Sequence, residues 1–158
     1  MSLLARTLAA AALAAAAMPT IAGRVDVAVA PSNFTDAGNA VWEERPNAEA
    51  LARHLQRLGE RHLPADHVLS VELLDLDLAG TLDLRGTGPV RTVRGRTDFP
   101  SIRLRYTLSA PGRPAVSREE EVRDIQFTRG LSSDRNQPLA YEKRMLDRWF
   151  AERFAAPL

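Results

Sequence analysis

The chain has 158 residues, with 21 basic and 20 acidic side chains, 45% hydrophobic residues and no cysteine. Balanced charge argues against a dedicated nucleic-acid binder, because phosphate binding favours a basic excess. The missing thiols exclude thiolate metal sites, cysteine catalysis and a lipid anchor on a cysteine that follows a leader.

The first 22 residues carry the three-part pattern of a secretory leader. Arg6 supplies the charge, residues 7–17 are almost entirely Ala and Leu, and Thr20 and Ala22 put small residues before a cleavage point. Only 17 uncharged residues separate Arg6 from Arg24, and Pro19 and Gly23 lie among them. A spanning helix needs roughly 20 apolar residues, so cleavage is expected rather than anchorage. Loss of residues 1–22 removes one arginine and no acid, which leaves a neutral chain. Residues 23–158 suit a single domain, which at this size buries roughly two-thirds of its unfolded surface without disulfide or metal. Export without cysteine points to a soluble periplasmic protein. The sequon at Asn33-Phe34-Thr35 would matter only in a eukaryotic secretory pathway.

Val25, Val27 and Val29 alternate with small or polar residues up to Pro31, which predicts a first strand over Val25–Ala30. A turn-rich stretch follows, with Phe34 as its large apolar anchor. Pro46 is at a favoured first-turn position, and Ala48, Leu51, Leu55 and Leu58 keep helical spacing up to Leu63-Pro64. Glu49, Arg53, Arg57, Glu60 and Arg61 form the outer face of this amphipathic helix.

His67 to Gly80 is the longest strand-like run. Leu69, Val71 and Leu73 alternate with Val68, Ser70 and Glu72, and then the phase slips so that Leu74, Leu76 and Leu78 alternate with Asp75 and Asp77. The adjacent Leu73 and Leu74 predict a β-bulge, which turns the later side chains over and aims Asp75 and Asp77 towards an arginine-rich loop. Thr81 to Pro100 reads as that loop or as a hairpin, with a short strand at Val90–Arg94. Ile102, Leu104, Tyr106 and Leu108 predict a strand, Ala110 to Pro114 a turn, and Val116–Phe127 a returning strand. Glu119 and Glu121 then face Arg105 and Arg103 across the hairpin. A second change of phase between Val122 and Ile125 predicts another bulge. After a polar loop, Pro138 opens a terminal helix with Leu139, Leu146, Trp149, Phe150 and Phe154 on its core stripe, widened by Tyr141 and Met145.

The order β-α-β-β-β-α predicts an α+β domain. Its four-stranded, mainly antiparallel sheet would carry both helices on one face, with a right-handed first crossover and a meander of the last three strands.

Several stretches together resemble a known family: Phe34-Thr35-Asp36, Asp75 to Gly80, Arg94-Gly95-Arg96 with Phe99-Pro100, Ile102 to Tyr106, and Tyr141 to Leu146 with Trp149-Phe150. The pattern is similar to the domain-of-unknown-function 3016 family, exported proteins of Gram-negative bacteria. The resemblance implies a single periplasmic domain and offers no activity or catalytic residue to carry over. Phe99 stands where Trp is expected, which keeps an aromatic anchor.

Asp75 and Asp77, two apart on a strand, are placed about 7 Å apart on one face. That spacing suits either an acid–base pair or a hard cation, but a solvent-facing edge paired with arginines explains it as well. Arg85, Arg91, Arg94, Arg96, Arg103 and Arg105 make a basic stretch that suits an anionic ligand, or a solvated face neutralised by nearby acids. His54 and His62 are too far apart on their helix to share an ion, and His62 with Asp66 and His67 matches no zinc spacing. No G-x-S-x-G occurs. In Tyr141-Glu142-Lys143-Arg144, the tyrosine is expected in the core beside Met145, with the other three on the surface or at a sheet edge. The leading expectation is a non-catalytic binding or accessory domain of the cell envelope. Its unknown protein partner or anionic ligand would meet Arg94, Arg96, Arg103, Arg105, Asp75 and Asp77. No cofactor and no metal are expected. The rival readings are a hydrolase of an envelope polymer using Asp75 and Asp77, and a homo-oligomer paired through the edge of Val25–Ala30.

Overall fold

A computed structural model of the chain describes residues 23–30, 34–95, 97–129 and 137–154. The leader expected over residues 1–22 and the sequon asparagine lie outside the described residues. Six strands and two helices are found among them: β1 (Arg24–Val29), α1 (Val41–His62), β2 (Val68–Asp77), β3 (Thr81–Asp83), β4 (Val90–Thr92), β5 (Ser101–Ser109), β6 (Val116–Arg123) and α2 (Ala140–Phe154). β1, β2, β5 and β6 form a four-stranded mixed sheet in that order, and β3 pairs with β4 as a separate two-stranded ribbon. β1 runs parallel to β2, as a strand–helix–strand crossover requires, and the other neighbours are antiparallel. The fold is therefore α+β, as the pattern predicts. The segment from Thr81 to Pro100 is resolved in favour of the hairpin. No helix among the described residues is long and apolar enough to cross a membrane.

One face of the sheet carries the core. Leu69, Val71, Leu73 and Leu76 of β2 and Ile102, Leu104 and Tyr106 of β5 pack against Leu51, Leu55 and Leu58 of α1 and Met145, Leu146, Trp149, Phe150 and Phe154 of α2. Alternation along each strand leaves the opposite face, with Ser70, Glu72, Arg103, Arg105, Glu119 and Glu121, to solvent or half-buried. The bulge lies at the predicted place, with the register shifting between Leu73 and Asp75. It flips the alternation as expected and leaves Asp75 and Asp77 on the open face, where Arg91 of the arginine-rich segment acts on Asp77. The extra residue, Leu74, brings Leu76 and Leu78 back onto the core face used by Leu73, so the apolar set stays on one side.

The boundaries of α1, β6 and α2 differ from the sequence pattern. α1 begins five residues before Pro46, which lies inside the helix. The early turn is held locally: the Glu43 carboxylate accepts the Asn39 N–H at 2.8 Å, and the Glu43 N–H reaches the Ala40 carbonyl at 2.9 Å. β6 ends at Arg123 instead of Phe127, so the second change of phase is a strand end and not a bulge. There Asp124 accepts the Gln126 N–H on its side chain and the Phe127 N–H on its carbonyl, which closes a turn. α2 begins at Ala140, because Leu139 has a left-handed φ of 60° and cannot continue a helix. The Leu139 carbonyl nevertheless accepts the Lys143 N–H at 2.9 Å and so opens the helical ladder.

The rings on α2 form an edge-to-face cluster. Phe154 meets Tyr106 at 5.3 Å, Trp149 at 5.2 Å and Phe150 at 5.2 Å between centroids. Glu120 is the polar residue that serves this cluster. It accepts the Trp149 indole N–H at 3.1 Å and the Tyr106 hydroxyl at 3.2 Å, and Arg153 balances its charge at 3.3 Å.

Candidate functional site at the carboxyl end of β2

The side chains with the most chemistry converge where β2 ends. The segment after β1 returns to extend the sheet there: the Asp36 N–H donates to the Leu76 carbonyl at 2.9 Å, and the Leu78 N–H to the Asp36 carbonyl at 2.8 Å. Asp36 and Asp77 thereby become neighbours across a parallel bridge. Asp75 and Asp77 share the open face, as their spacing predicts. Both oxygens of Asp75 are engaged by Thr35, one by the backbone N–H and one by the hydroxyl, each at 2.8 Å. No side-chain hydrogen bond or ion pair reaches Asp77 among the described residues. Its pKa is raised above the ordinary 3.8, first by burial and then by the charges of Asp36 and Asp75, against which Arg91 acts.

Arg91 of the ribbon, not the arginines expected, is the cation of this site. Its guanidinium binds both oxygens of Asp36 at 2.5 and 3.0 Å, the Asn39 side-chain oxygen at 3.2 Å, and the carbonyls of Gly38 at 3.2 Å and Gly80 at 3.1 Å. Its five N–H donors are thus matched by five acceptor contacts in a side chain only 16% exposed.

The other arginines are dispersed. Arg94 is at the base of the ribbon, bonded to Asp83 at 3.3 Å and largely exposed. Arg105 lies on the open face between Glu72 and Glu119, 3.0 Å from each. The register sets Arg103 opposite Asp75 and Glu121, as predicted for Glu121, but Glu121 pairs instead with Arg123. Arg96 lies outside the described residues. Of the predicted contact set, the structure brings Asp75 and Asp77 together and places Arg103 beside them in register, while Arg94 stands apart on the ribbon. The histidines build no metal site: no group of three metal-ligating side chains forms among the described residues. His54 instead bonds Asp147 at 2.6 Å and links the two helices.

The Tyr141 to Arg144 stretch departs from its expectation. Tyr141 is half-buried against Phe127, ring to ring at 5.1 Å. Arg144 is not a free surface charge; it donates to the carbonyls of Phe127 and Arg129 and ties down the turn after β6. Arg148 pairs with buried Asp124 in the same turn. Glu142 was expected on the surface but is only 3% exposed, because its spacing from Met145, Leu146 and Trp149 puts it on the buried stripe of α2. Its carboxylate accepts the Ala79 N–H at 2.8 Å, just past the end of β2. Burial raises its pKa above the ordinary 4.5, against that hydrogen bond and the charge of Arg91.

This sign has a measurable result. A carboxyl with a raised folded pKa binds more protons folded than unfolded, so its contribution to stability falls as pH rises from about 4.5 through the folded value. Urea melts of Glu142→Gln should lack that decline, and the difference from wild type should grow with pH. Glu142→Leu removes the acceptor as well. It should cost about 1–3 kcal/mol at pH 5, through the orphaned Ala79 N–H. Parallel pH profiles for wild type and Glu142→Gln would refute a titrating role for this carboxyl.

Residues missed from sequence include Asp36 as an ion-pair partner, Glu120, Asp124 and buried Glu142. The segments Phe34-Thr35-Asp36, Asp75 to Gly80 and Tyr141 to Leu146, distant in the chain, meet at this end of β2 through Thr35, Asp75, Ala79 and Glu142. No curated protein and no solved structure matches the chain. A family model described as "Protein of unknown function (DUF3016)" matches residues 23–152, a span that includes every element above except the last residues of α2. On that match, which covers most of its length, the chain belongs to the DUF3016 family.

Proposed function

We propose that the protein is a non-catalytic, exported binding or accessory domain of the cell envelope, and that it works in the periplasm through contact with another envelope protein. The leader pattern of residues 1–22, and a family match that begins directly after it, support export. Asp75, with both oxygens taken by Thr35, lacks the freedom a two-carboxylate hydrolase needs, which favours binding over catalysis.

The observation that carries the reading is the placement of exposed apolar side chains. Five of the seven large ones found among the described residues come from two neighbouring places. Val41 and Trp42, 79% and 78% exposed, open α1, while Leu84, Val90 and Val93 belong to the ribbon and its flank. Arg91 joins the two places through Asn39 and Gly38, which immediately precede α1. An exposed tryptophan beside aliphatic residues is the composition of a protein-contact surface, where Trp is enriched among the residues that dominate affinity. This moves the contact surface from the arginines to the apolar residues around them.

A photo-reactive residue at position 84 or 42 should yield a discrete crosslinked product in cells, and one at position 57 on the outer face of α1 should not. The Trp42→Ala/Leu84→Ser double variant should lose that product while its melting temperature stays close to wild type, since both side chains are exposed. Equal products from position 57 would refute the assignment.

A further inference from the structure

The cradle around Arg91 is a complete guanidinium receptor, and its present occupant arrives on a weakly attached element. The acceptors come from the body of the domain and the corner of the chain: Asp36, Asn39 and the Gly38 carbonyl before α1, and the Gly80 carbonyl after β2. Arg91 is on β4, in the ribbon that belongs to a different sheet from the rest. Leu84 and Val90 of this ribbon face solvent, and none of its residues is in the hydrophobic core, so polar contacts hold it down. Both ends have glycine with positive φ, Gly80 at 92° and Gly95 at 139°. Such positions are natural hinges, because a glycine can change φ there without steric cost.

The cradle is also more acidic than one arginine requires. Asp77 adjoins Asp36 across the bridge and carries no partner among the described residues, and Asp75 is two residues away on the same face. Removal of Arg91 would leave Asp36 without its ion pair and Asp77 without the cation that opposes its charge.

We propose that this cradle is a binding site for an arginine side chain, occupied in the resting protein by its own Arg91. The β3–β4 ribbon acts as a flap hinged at Gly80 and Gly95. When it lifts, the site accepts a guanidinium presented by a partner, and the bidentate geometry at Asp36 favours that group over an ammonium. This goes beyond the contact surface described above and does not depend on it.

Two measurements test the proposal. In the intact protein, native-state hydrogen exchange should show the amides of Leu82 and Arg91 opening together at least about tenfold more often than those of Val71 and Leu104, through a local opening. Arg91→Ala should then bind methylguanidinium saturably, with shifts confined to amides around Asp36, Asn39 and Gly80. Methylammonium should bind at least about tenfold more weakly, by the loss of the fork geometry. Wild type should not bind either, because its site is full, and Arg91→Ala/Asp36→Asn should lose the binding. If the ribbon amides exchange only with global unfolding, the site never empties and the proposal fails. It fails equally if folded Arg91→Ala takes up no methylguanidinium, or takes it up without Asp36. Should Arg91→Ala not fold, the exchange result on wild type decides.

Discussion

Phe150→Ala should remove about 3–5 kcal/mol of stability, as expected for a large aromatic deleted from a well-packed core. Phe150 is fully buried, and its ring lies edge-on to Phe154 at 5.2 Å and to Trp149 at 6.3 Å. Each partner is already committed elsewhere: Trp149 to Glu120 through its indole N–H, and Phe154 to Tyr106. Neither can collapse into the vacated space without giving up a contact of its own, so the cavity term is expected in full. Domains of this size have about 5–15 kcal/mol in total, so the variant should melt roughly 10 °C lower or more. Urea unfolding should show a lower midpoint with an unchanged slope. A loss under about 1 kcal/mol would mean that α2 is an appendage and not a wall of the core. The exposed Arg57→Ala serves as the control, expected within about 0.5 kcal/mol of wild type.

Gly59→Ala is the second large effect, and here two forces oppose one another. Gly59 is in the interior of α1, where alanine gains about 1 kcal/mol of helix propensity. A β-carbon at this position, however, would be 2.1 Å from Cγ2 and 3.1 Å from Cβ of Val25 on β1. Val25 is buried and β-branched, so its side chain has little room to turn away from the clash. Overpacking of this kind costs typically about 1–3 kcal/mol, and the closeness of the clash puts this site at the upper end. The net result should be a loss of roughly 1–2 kcal/mol in spite of the better helix former. Val25→Ala makes room, so the double variant should be less damaged than the sum of the two single ones. Additive losses would show that the two sites do not meet.

Both effects concern contacts that a periodicity argument cannot reach. The leucines of α1 announce a helix with one buried face. That Gly59 is where the helix touches β1 depends on the angle at which helix and strand cross. The same limit explains the site. The alternation of Asp75 and Asp77 with leucines showed that they share a face, and the doubled Leu73-Leu74 showed the bulge. Pattern alone could not show which face the residues after the bulge would take, because that depends on which side the helices cover. Arg91 was one arginine among six in a basic stretch, and nothing local marked it as the one that turns inward. Its partner Asp36 is 55 residues earlier in the chain.

The boundary errors have local causes that propensity misses. Pro46 suggested a helix start, but Glu43, bonded back to the Asn39 N–H, holds an earlier one. The run through Phe127 looked like continued strand, but Asp124 folds it into a turn that Arg144 then holds from α2. Glu142 lies on the buried stripe of α2, three and four residues before Met145 and Leu146, and Glu120 is half-buried on β6. Burial became tolerable only when a distant donor was present, the Ala79 N–H for one and the hydroxyl and indole of Tyr106 and Trp149 for the other.

The sequence by itself determined the α+β class, the four-stranded, mainly antiparallel sheet, the bulge in β2 and the α2 side chains that fill the core. Each of these follows from side-chain period or from residues adjacent in the chain, and local sterics and hydrophobic burial act on those directly. Only the tertiary structure decided that the arginine-rich stretch folds into a ribbon, that Arg91 closes on Asp36, and that Glu142 meets Ala79. Those outcomes rest on charges and hydrogen-bond donors brought together across tens of residues, and such pairings form only after the helices have chosen their face of the sheet.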